Sequence, residues 1–173
     1  AHDNVSAALA AYARCRGVTW ESDTARFVAL SCLIHRGDVA EVCELVDELV
    51  EDATSRGDAY LLTQVKTRGS TFVALTRGEA ARTLELGAQA IAAWTPSGYH
   101  IVHFWHYASR IAALLLAGRP SEALSAVDAE AKPLRGSLLL LGQYYRAQAL
   151  ELEARAALAV ANAKGVEPKS ASN

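Results

Sequence analysis

Apolar residues recur every three or four positions along most of this chain, which is the spacing of one face of an α-helix. Segment 19–36 carries the pattern in Phe27, Leu30, Leu33 and Ile34. Read along the whole sequence, the pattern predicts eight helices. They span about 4–16, 19–36, 38–56, 58–77, 79–94, 98–117, 120–135 and 137–162.

Glycines follow the predicted helix ends in two interleaved series, and within each series they recur about every 40 residues. The first series is Gly17, Gly57, Gly98 and Gly136, and the second is Gly37, Gly78 and Gly118. A glycine just past the last turn is a typical helix stop, because glycine enters the left-handed conformation at little cost. Two helices per period predict an all-α fold, a TPR-like α-solenoid of antiparallel helical hairpins.

Residues near the predicted helix starts fit the same division. Asp38 and Glu41 have capping-box spacing, Pro120 fits a first helical position, and Ser137 can cap the final helix. Aligning the repeats on the second glycine series predicts buried apolar columns, and small residues where neighbouring helices approach closely. The columns are Leu30, Thr71 and Ile111, then Leu33, Ala74 and Leu114, then Ile34, Leu75 and Leu115; the small residues are Ala40, Ala81 and Ser121.

Length and charge narrow the class of protein. The 173 residues predict one helical-repeat domain over 1–164 and a disordered tail or linker over 165–173. The net charge of −2 argues against nucleic-acid binding, which usually needs a basic face. No apolar run approaches the length of a membrane span, so we expect no membrane partner. Met is absent even at position 1, which suggests a segment of a longer protein.

Cysteine and histidine spacing argues against a metal site. Cys15, Cys32 and Cys43 are odd in number and lack CxxC spacing, so we expect buried free thiols in a reducing compartment, the cytoplasm. His100, His103 and His106 lie three residues apart, but each step of three rotates the side chain by about 60° around a helix. Ligating one metal with all three would need strain. We expect neither a metal nor another cofactor.

The densest cluster of polar and aromatic side chains lies in predicted helix 98–117. These residues fall on one arc of the helix, opposite an apolar face that includes Ile101, Phe104 and Trp105. One interpretation is a recognition stripe that faces a groove, and the other is interior packing of the histidines. The residues of this stripe are His100, His103, His106, Tyr107 and Arg110.

Neighbouring predicted helices add further polar positions, Gln64 and Arg68 on one and Gln143 and Arg146 on another. If the first helix of each hairpin lines the inner surface, these residues join the stripe in one binding groove. Such a groove suits an acidic or extended peptide, whereas the alternative is a solvated polar face. The chain has no P-loop, HExxH or GxSxG motif, so we do not expect an enzyme.

Several short runs of this sequence resemble those of a known group of proteins. The runs are Arg77-Gly78-Glu79-Ala80, Ala93-Trp94, Gly98-Tyr99-His100, His103-Phe104 and Arg135-Gly136-Ser137-Leu138-Leu139-Leu140. They resemble the C-terminal helical-repeat region of large multidomain bacterial serine/threonine protein kinases. Similar repeats occur in signalling ATPases that regulate transcription. The resemblance covers about 19–162 and implies a regulatory role beside an enzyme, and it transfers no catalytic residue.

The sequence therefore leaves two candidate functions. The first is a protein-interaction and regulatory module that binds a peptide, another protein or another domain of its own chain. The alternative is a small-molecule sensor domain of a signalling ATPase or transcription regulator. Its pocket would lie under an aromatic cluster, and the oligomeric state stays open. The cluster is Trp94, Tyr99, Trp105, Tyr144 and Tyr145.

Overall fold

The computed structural model describes residues 2–94 and 97–165, and every element within these ranges is helical. The predicted all-α class is confirmed. None of the described helices is both long enough and apolar enough to cross a membrane. The helices are α1 His2–Tyr12, α2 Thr19–Arg36, α3 Val39–Arg56, α4 over 59–76, α5 Ala80–Ala92, α6 Ile101–Leu116, α7 Pro120–Arg135 and α8 Gln143–Gly165.

Helix α4 is continuous but contains a π-helical turn. Ala59–Val65 and Thr71–Thr76 are α-helical, and Lys66–Ser70 forms the π turn between them. Gly69 lies in this turn, where an added Cβ would come 2.6 Å from Cγ2 of Val46. Its next neighbour would be Cδ2 of Leu30, at 3.1 Å. Glycine therefore lets α4 pack closely against α2 and α3.

Left-handed glycines end several helices with the same pair of hydrogen bonds. At Gly37, Gly78 and Gly118, φ is 77°, 76° and 69°. Each glycine N–H donates to the carbonyl three residues back, and the next N–H donates to the carbonyl five back. This is the Schellman arrangement, and it recurs at Gly57. The expected left-handed conformation is wrong for Gly136, whose φ is −75°.

Two predicted helix starts also need correction. The carboxylate of Asp38 makes no capping bond and instead pairs with Nε of Arg36 at 2.8 Å, so the capping box is wrong. Ser137 caps a 3₁₀ turn, Leu138–Leu141, rather than the last long helix. Gly142 is extended, with ψ of 119°, and separates that turn from α8.

Some predicted features agree with the structure, and others lie outside it. Pro120 occupies the first turn of α7 as predicted. Thr95 and Pro96, between predicted helices 79–94 and 98–117, lie outside the described residues, as do residues 166–173 of the predicted tail. Cys15 is exposed, whereas Cys32 and Cys43 are partly buried, so the expected burial is wrong for Cys15.

Burial follows the first two predicted apolar columns, whereas the third, Ile34, Leu75 and Leu115, is only partly buried, and the predicted small-residue positions are wrong. Each helix packs against its successor, and α4, α6 and α8 also contact one another side by side. Leu30 and Ile111 are fully buried, and Leu33 and Leu114 nearly so. Ala40, Ala81 and Ser121 are exposed, so they do not mediate close helix contact. Positions two residues further on are buried instead, namely Val42, Thr83 and Ala123.

Replacing Leu114 by Ala should lower the free energy of unfolding by about 2–5 kcal/mol, because the side chain is 3 % exposed and its loss leaves a cavity. Leu116 lies on the same helix and is 51 % exposed, so Leu116→Ala should change stability by no more than about 0.5 kcal/mol. Urea unfolding of the two variants measures the difference. Equal effects would contradict the described core.

The glycines of α4 and α7 should respond to Ala in opposite directions. Gly69→Ala should destabilise the protein by about 1–3 kcal/mol, because the new methyl group overlaps the β-branched Val46. Gly136 has a right-handed conformation, and an added Cβ would lie 3.5 Å from its nearest neighbour. Gly136→Ala should therefore stabilise by about 0.4–1 kcal/mol. Thermal unfolding checks both signs, and a stable Gly69→Ala variant would rule out the close packing at the π turn.

Candidate functional site

Four helices, α2, α4, α6 and α8, line one continuous groove. Three adjoining cavities of about 380, 590 and 310 Å³ follow one another along it. The first and second share Trp20, Tyr60 and Gln64, and the second and third share His35 and Trp105. We call them the Asp58 cavity, the aromatic cleft and the Arg68 cavity.

The aromatic cleft has the largest volume of these three cavities, and aromatic rings form much of its wall. Trp20 is 66 % exposed, and Tyr60 and Tyr144 are 42 % and 40 % exposed. Trp105, which is 4 % exposed, lines the same cleft. Exposed large apolar side chains concentrated around a concavity are typical of a binding surface. The apolar and aromatic lining residues are Trp20, Phe27, Val28, Tyr60, Ile101, Trp105, Tyr144 and Tyr145.

Gln64 supplies a polar group where the aromatic cleft meets the Asp58 cavity. It lies in the buried first half of α4 and is 8 % exposed. Its side chain makes no hydrogen bond to any described residue, although its backbone carbonyl accepts one from Thr67 Oγ1. Although the residue is largely buried, its amide atoms are open to the cavities, so they can hydrogen-bond to a ligand there.

Arg68 stands at the junction between the aromatic cleft and the Arg68 cavity. Its guanidinium lies over the ring of Trp105, with Cζ 3.8 Å from the ring centroid. Nε donates to Oγ of Ser31 at 3.2 Å, and one Nη donates to the hydroxyl of Tyr144 at 3.3 Å. Burial lowers the pKa of Arg68 below its ordinary value, because the charged form loses hydration.

A chain of hydrogen bonds joins α8 to α2 across the groove. The Nδ1–H of His35 donates to the backbone carbonyl of Ser31 at 2.6 Å. In the neutral ring, Nε2 of His35 then accepts from the hydroxyl of Tyr144 at 3.0 Å. Because Tyr144 also accepts from Arg68, these contacts fix the side chains where the aromatic cleft and the Arg68 cavity meet.

The structure brings two of the sequence-predicted site residues, Gln64 and Arg68, into this groove. Gln143 and Arg146 are exposed at the start of α8 and do not line any of its three cavities. Arg146 instead borders a separate cavity of about 120 Å³ together with Tyr107. The neighbouring Tyr144 and Tyr145 face the groove in their place.

The predicted stripe on α6 does not face the groove. His106 packs against α5, where an added Cβ on Gly87 would lie 2.6 Å from its Nδ1. His103 accepts at Nδ1 from the backbone N–H of His100, and so caps the start of α6. Tyr107 is 5 % exposed in the core, and Arg110 is exposed outside the groove. The prediction that this stripe faces the groove is therefore wrong. The apolar face of α6, with Ile101 and Trp105, lines the groove instead.

Burial explains the electrostatics of this region of α6. It lowers the pKa of His106 to about 4, with further contributions from the positive charge of Arg110 and from His103. It raises the pKa of Tyr107 to about 12, helped by Glu153 and Glu130. Both side chains therefore stay neutral at pH 7. Within the described residues, no three His, Cys, Asp or Glu side chains are grouped to hold a metal ion.

The residues that sequence reasoning missed are Trp20, Tyr60 and His35. A signal was present for two of them, because Trp20, Tyr60 and Ile101 lie about 40 residues apart near the starts of α2, α4 and α6. The predicted aromatic cluster was correct in part. Trp105, Tyr144 and Tyr145 do line the cleft, whereas Trp94 lies behind it, 5.7 Å from the ring of Tyr60.

Comparison of this chain with protein-family models, with curated proteins and with solved structures finds no match to any of them. The site is therefore interpreted from its own geometry.

His106 should make stability depend on pH. Its pKa lies near 4 in the folded protein and near 6.5 when unfolded, so the unfolded state binds the proton more readily. The free energy of unfolding should therefore fall as the pH drops from about 6.5 to about 4, by at most about 3 kcal/mol from this residue. His106→Gln should lack that part of the decrease. Urea unfolding at pH 7 and pH 4 compares the two proteins, and identical losses would show that His106 is not buried as described.

Proposed function

We propose that this chain is a protein-interaction module that binds an extended peptide in the groove between α2, α4, α6 and α8. The observation that carries the proposal is the aromatic cleft. It combines an exposed aromatic rim, Trp20, Tyr60 and Tyr144, with the amide of Gln64, which makes no hydrogen bond to the described residues. Apolar pockets give a peptide its anchoring contacts, and a few fixed polar groups give it orientation.

The length of the groove favours a peptide over a compact ligand. Along α2 it runs from Thr19 in the Asp58 cavity to His35 in the Arg68 cavity. At 1.5 Å per helical residue this distance is about 24 Å. An extended chain advances about 3.3 Å per residue, so the groove has room for roughly seven peptide residues.

We further propose that the helices form a TPR-like solenoid with a period of about 40 residues. Three observations support this architecture. Gly37, Gly78 and Gly118 end their helices with identical hydrogen bonds. The positions five residues after them are buried in each case, as Val42, Thr83 and Ala123. Alternate helices α4, α6 and α8 lie side by side, as stacked hairpins require.

The cellular setting in this proposal comes from the sequence resemblance. We propose a cytoplasmic segment of a bacterial signalling serine/threonine kinase, whose repeats recruit a partner or contact another domain of the same chain. In this role the segment binds and does not catalyse.

A small-molecule sensor is the second candidate, and one observation favours it. The aromatic cleft alone has a volume of about 590 Å³, which lies within the range of pockets that hold cofactor-sized or drug-sized ligands. A planar apolar molecule would fit between Trp20, Tyr60 and Trp105. A thermal-shift screen of small aromatic compounds separates this candidate from peptide binding.

Selection of a random heptapeptide display library on the protein tests the proposal. Peptides with bulky apolar side chains should be enriched, and Trp20→Ala should weaken their binding by about tenfold or more, because the ring is an aromatic anchor. Fluorescence polarisation with a labelled selected peptide measures the affinity. Leu158→Ala is the matched control, because Leu158 is 63 % exposed on α8 outside the groove. Absence of any enriched peptide, or equal affinity of the Trp20→Ala variant, would contradict the proposal.

A further inference from the structure

Arg68 differs from the other arginines in how its charge is compensated. The partly buried Arg26 pairs with Asp52 and Glu48, and the more exposed Arg56 pairs with Asp23 and Asp52. Arg68 is also partly buried, yet it forms no ion pair with any described carboxylate, and its hydrogen bonds go to two neutral hydroxyl groups. The other described arginines that lack an ion pair are exposed. They are Arg14, Arg16, Arg77, Arg110, Arg135 and Arg146.

The surroundings of Arg68 leave room for an incoming anion. The Arg68 cavity measures about 310 Å³ and holds one carboxylate, that of Glu151, which pairs with Arg155 at 3.2 Å. With His35 neutral, the charged groups of this cavity sum to one positive charge. The second terminal nitrogen of Arg68 makes no hydrogen bond to the described residues, so a donor remains for a ligand. A desolvated guanidinium binds a carboxylate strongly, because the hydrogen bonds are charge-assisted.

We propose that the groove selects a peptide in which an acidic side chain follows or precedes a bulky apolar one, and that Arg68 binds the carboxylate while the aromatic cleft holds the apolar side chain. This inference rests on the proposed function and deepens it by naming the ligand chemistry. Trp105 borders both cavities, so the two side chains must lie close together on the peptide. Side chains two positions apart on an extended chain point to one face about 7 Å apart, which gives the spacing apolar, any residue, acidic.

The burial of Arg68 agrees with this chemistry. Desolvation lowers its pKa and raises the free energy of the unliganded charge, which an added carboxylate would offset. The stacking on Trp105 and the bond to Ser31 hold the guanidinium in place before a ligand arrives. Little side-chain entropy is then lost on binding, which favours selectivity for the carboxylate.

The heptapeptide selection also tests this inference. Peptides bound by the unmodified protein should be enriched in Asp or Glu two positions from a bulky apolar residue. Changing that acid to its amide in one selected peptide should weaken binding by about tenfold or more, and this comparison needs no variant protein. With Arg68→Gln, the acidic peptide and its amide form should bind within about twofold of each other.

Matched variants separate the possible failures. Arg110→Gln makes the same change in charge at an exposed arginine outside the groove, and it should keep the preference for acid. If Arg68→Gln does not fold by circular dichroism, Arg68→Met, which keeps an apolar stem without the charge, replaces it. Equal binding of both peptides to the unmodified protein, or an undiminished preference for acid in the folded variant at position 68, overturns the inference. Enrichment of apolar peptides without acid overturns the role of Arg68 but leaves the proposed function intact. No enrichment at all overturns both.

Discussion

The left-handed glycine that ends a helix is the constraint on which the arrangement of this protein depends. At Gly37, Gly78 and Gly118 the chain turns within two or three residues, because positive φ and two backbone hydrogen bonds close each helix end. The next helix then starts beside the previous one and packs against it. Short turns of one geometry place successive helices side by side, and the groove lies between the alternate helices α2, α4, α6 and α8.

Helix α6 shows how position in such an array overrides amphipathic patterning. It contacts α5 and α7 as well as α4 and α8, and among its residues only Arg110 and Leu116 are exposed. On the predicted stripe, His103 and His106 are partly buried and Tyr107 is buried, whereas Arg110 is exposed. His106 fits because α5 has Gly87 opposite it, and the lowered pKa of the histidine is the electrostatic consequence. Trp105, on the apolar face, becomes a wall of the groove.

The groove contains two kinds of side chain whose surroundings usually raise the free energy of a folded protein. Trp20, Tyr60 and Tyr144 expose apolar area to water, and Arg68 is partly buried without a carboxylate. A core would bury such rings, and an interior arginine generally has a carboxylate partner, as Arg26 does. Both features lie on one surface, which is why a ligand with apolar and acidic groups accounts for them together.

The sequence by itself determined the helical class, most helix boundaries, the left-handed glycines and the buried columns through Leu30, Leu33 and Leu114. These features depend on hydrogen bonds and side-chain periods that span a few residues, so a linear pattern reports them. It also selected Gln64 and Arg68 as candidates for a groove. Only the tertiary structure decided that Trp105 faces this groove and His106 does not. That orientation depends on helices distant in sequence, as in the bond between Tyr144 and His35, which joins residues 109 positions apart.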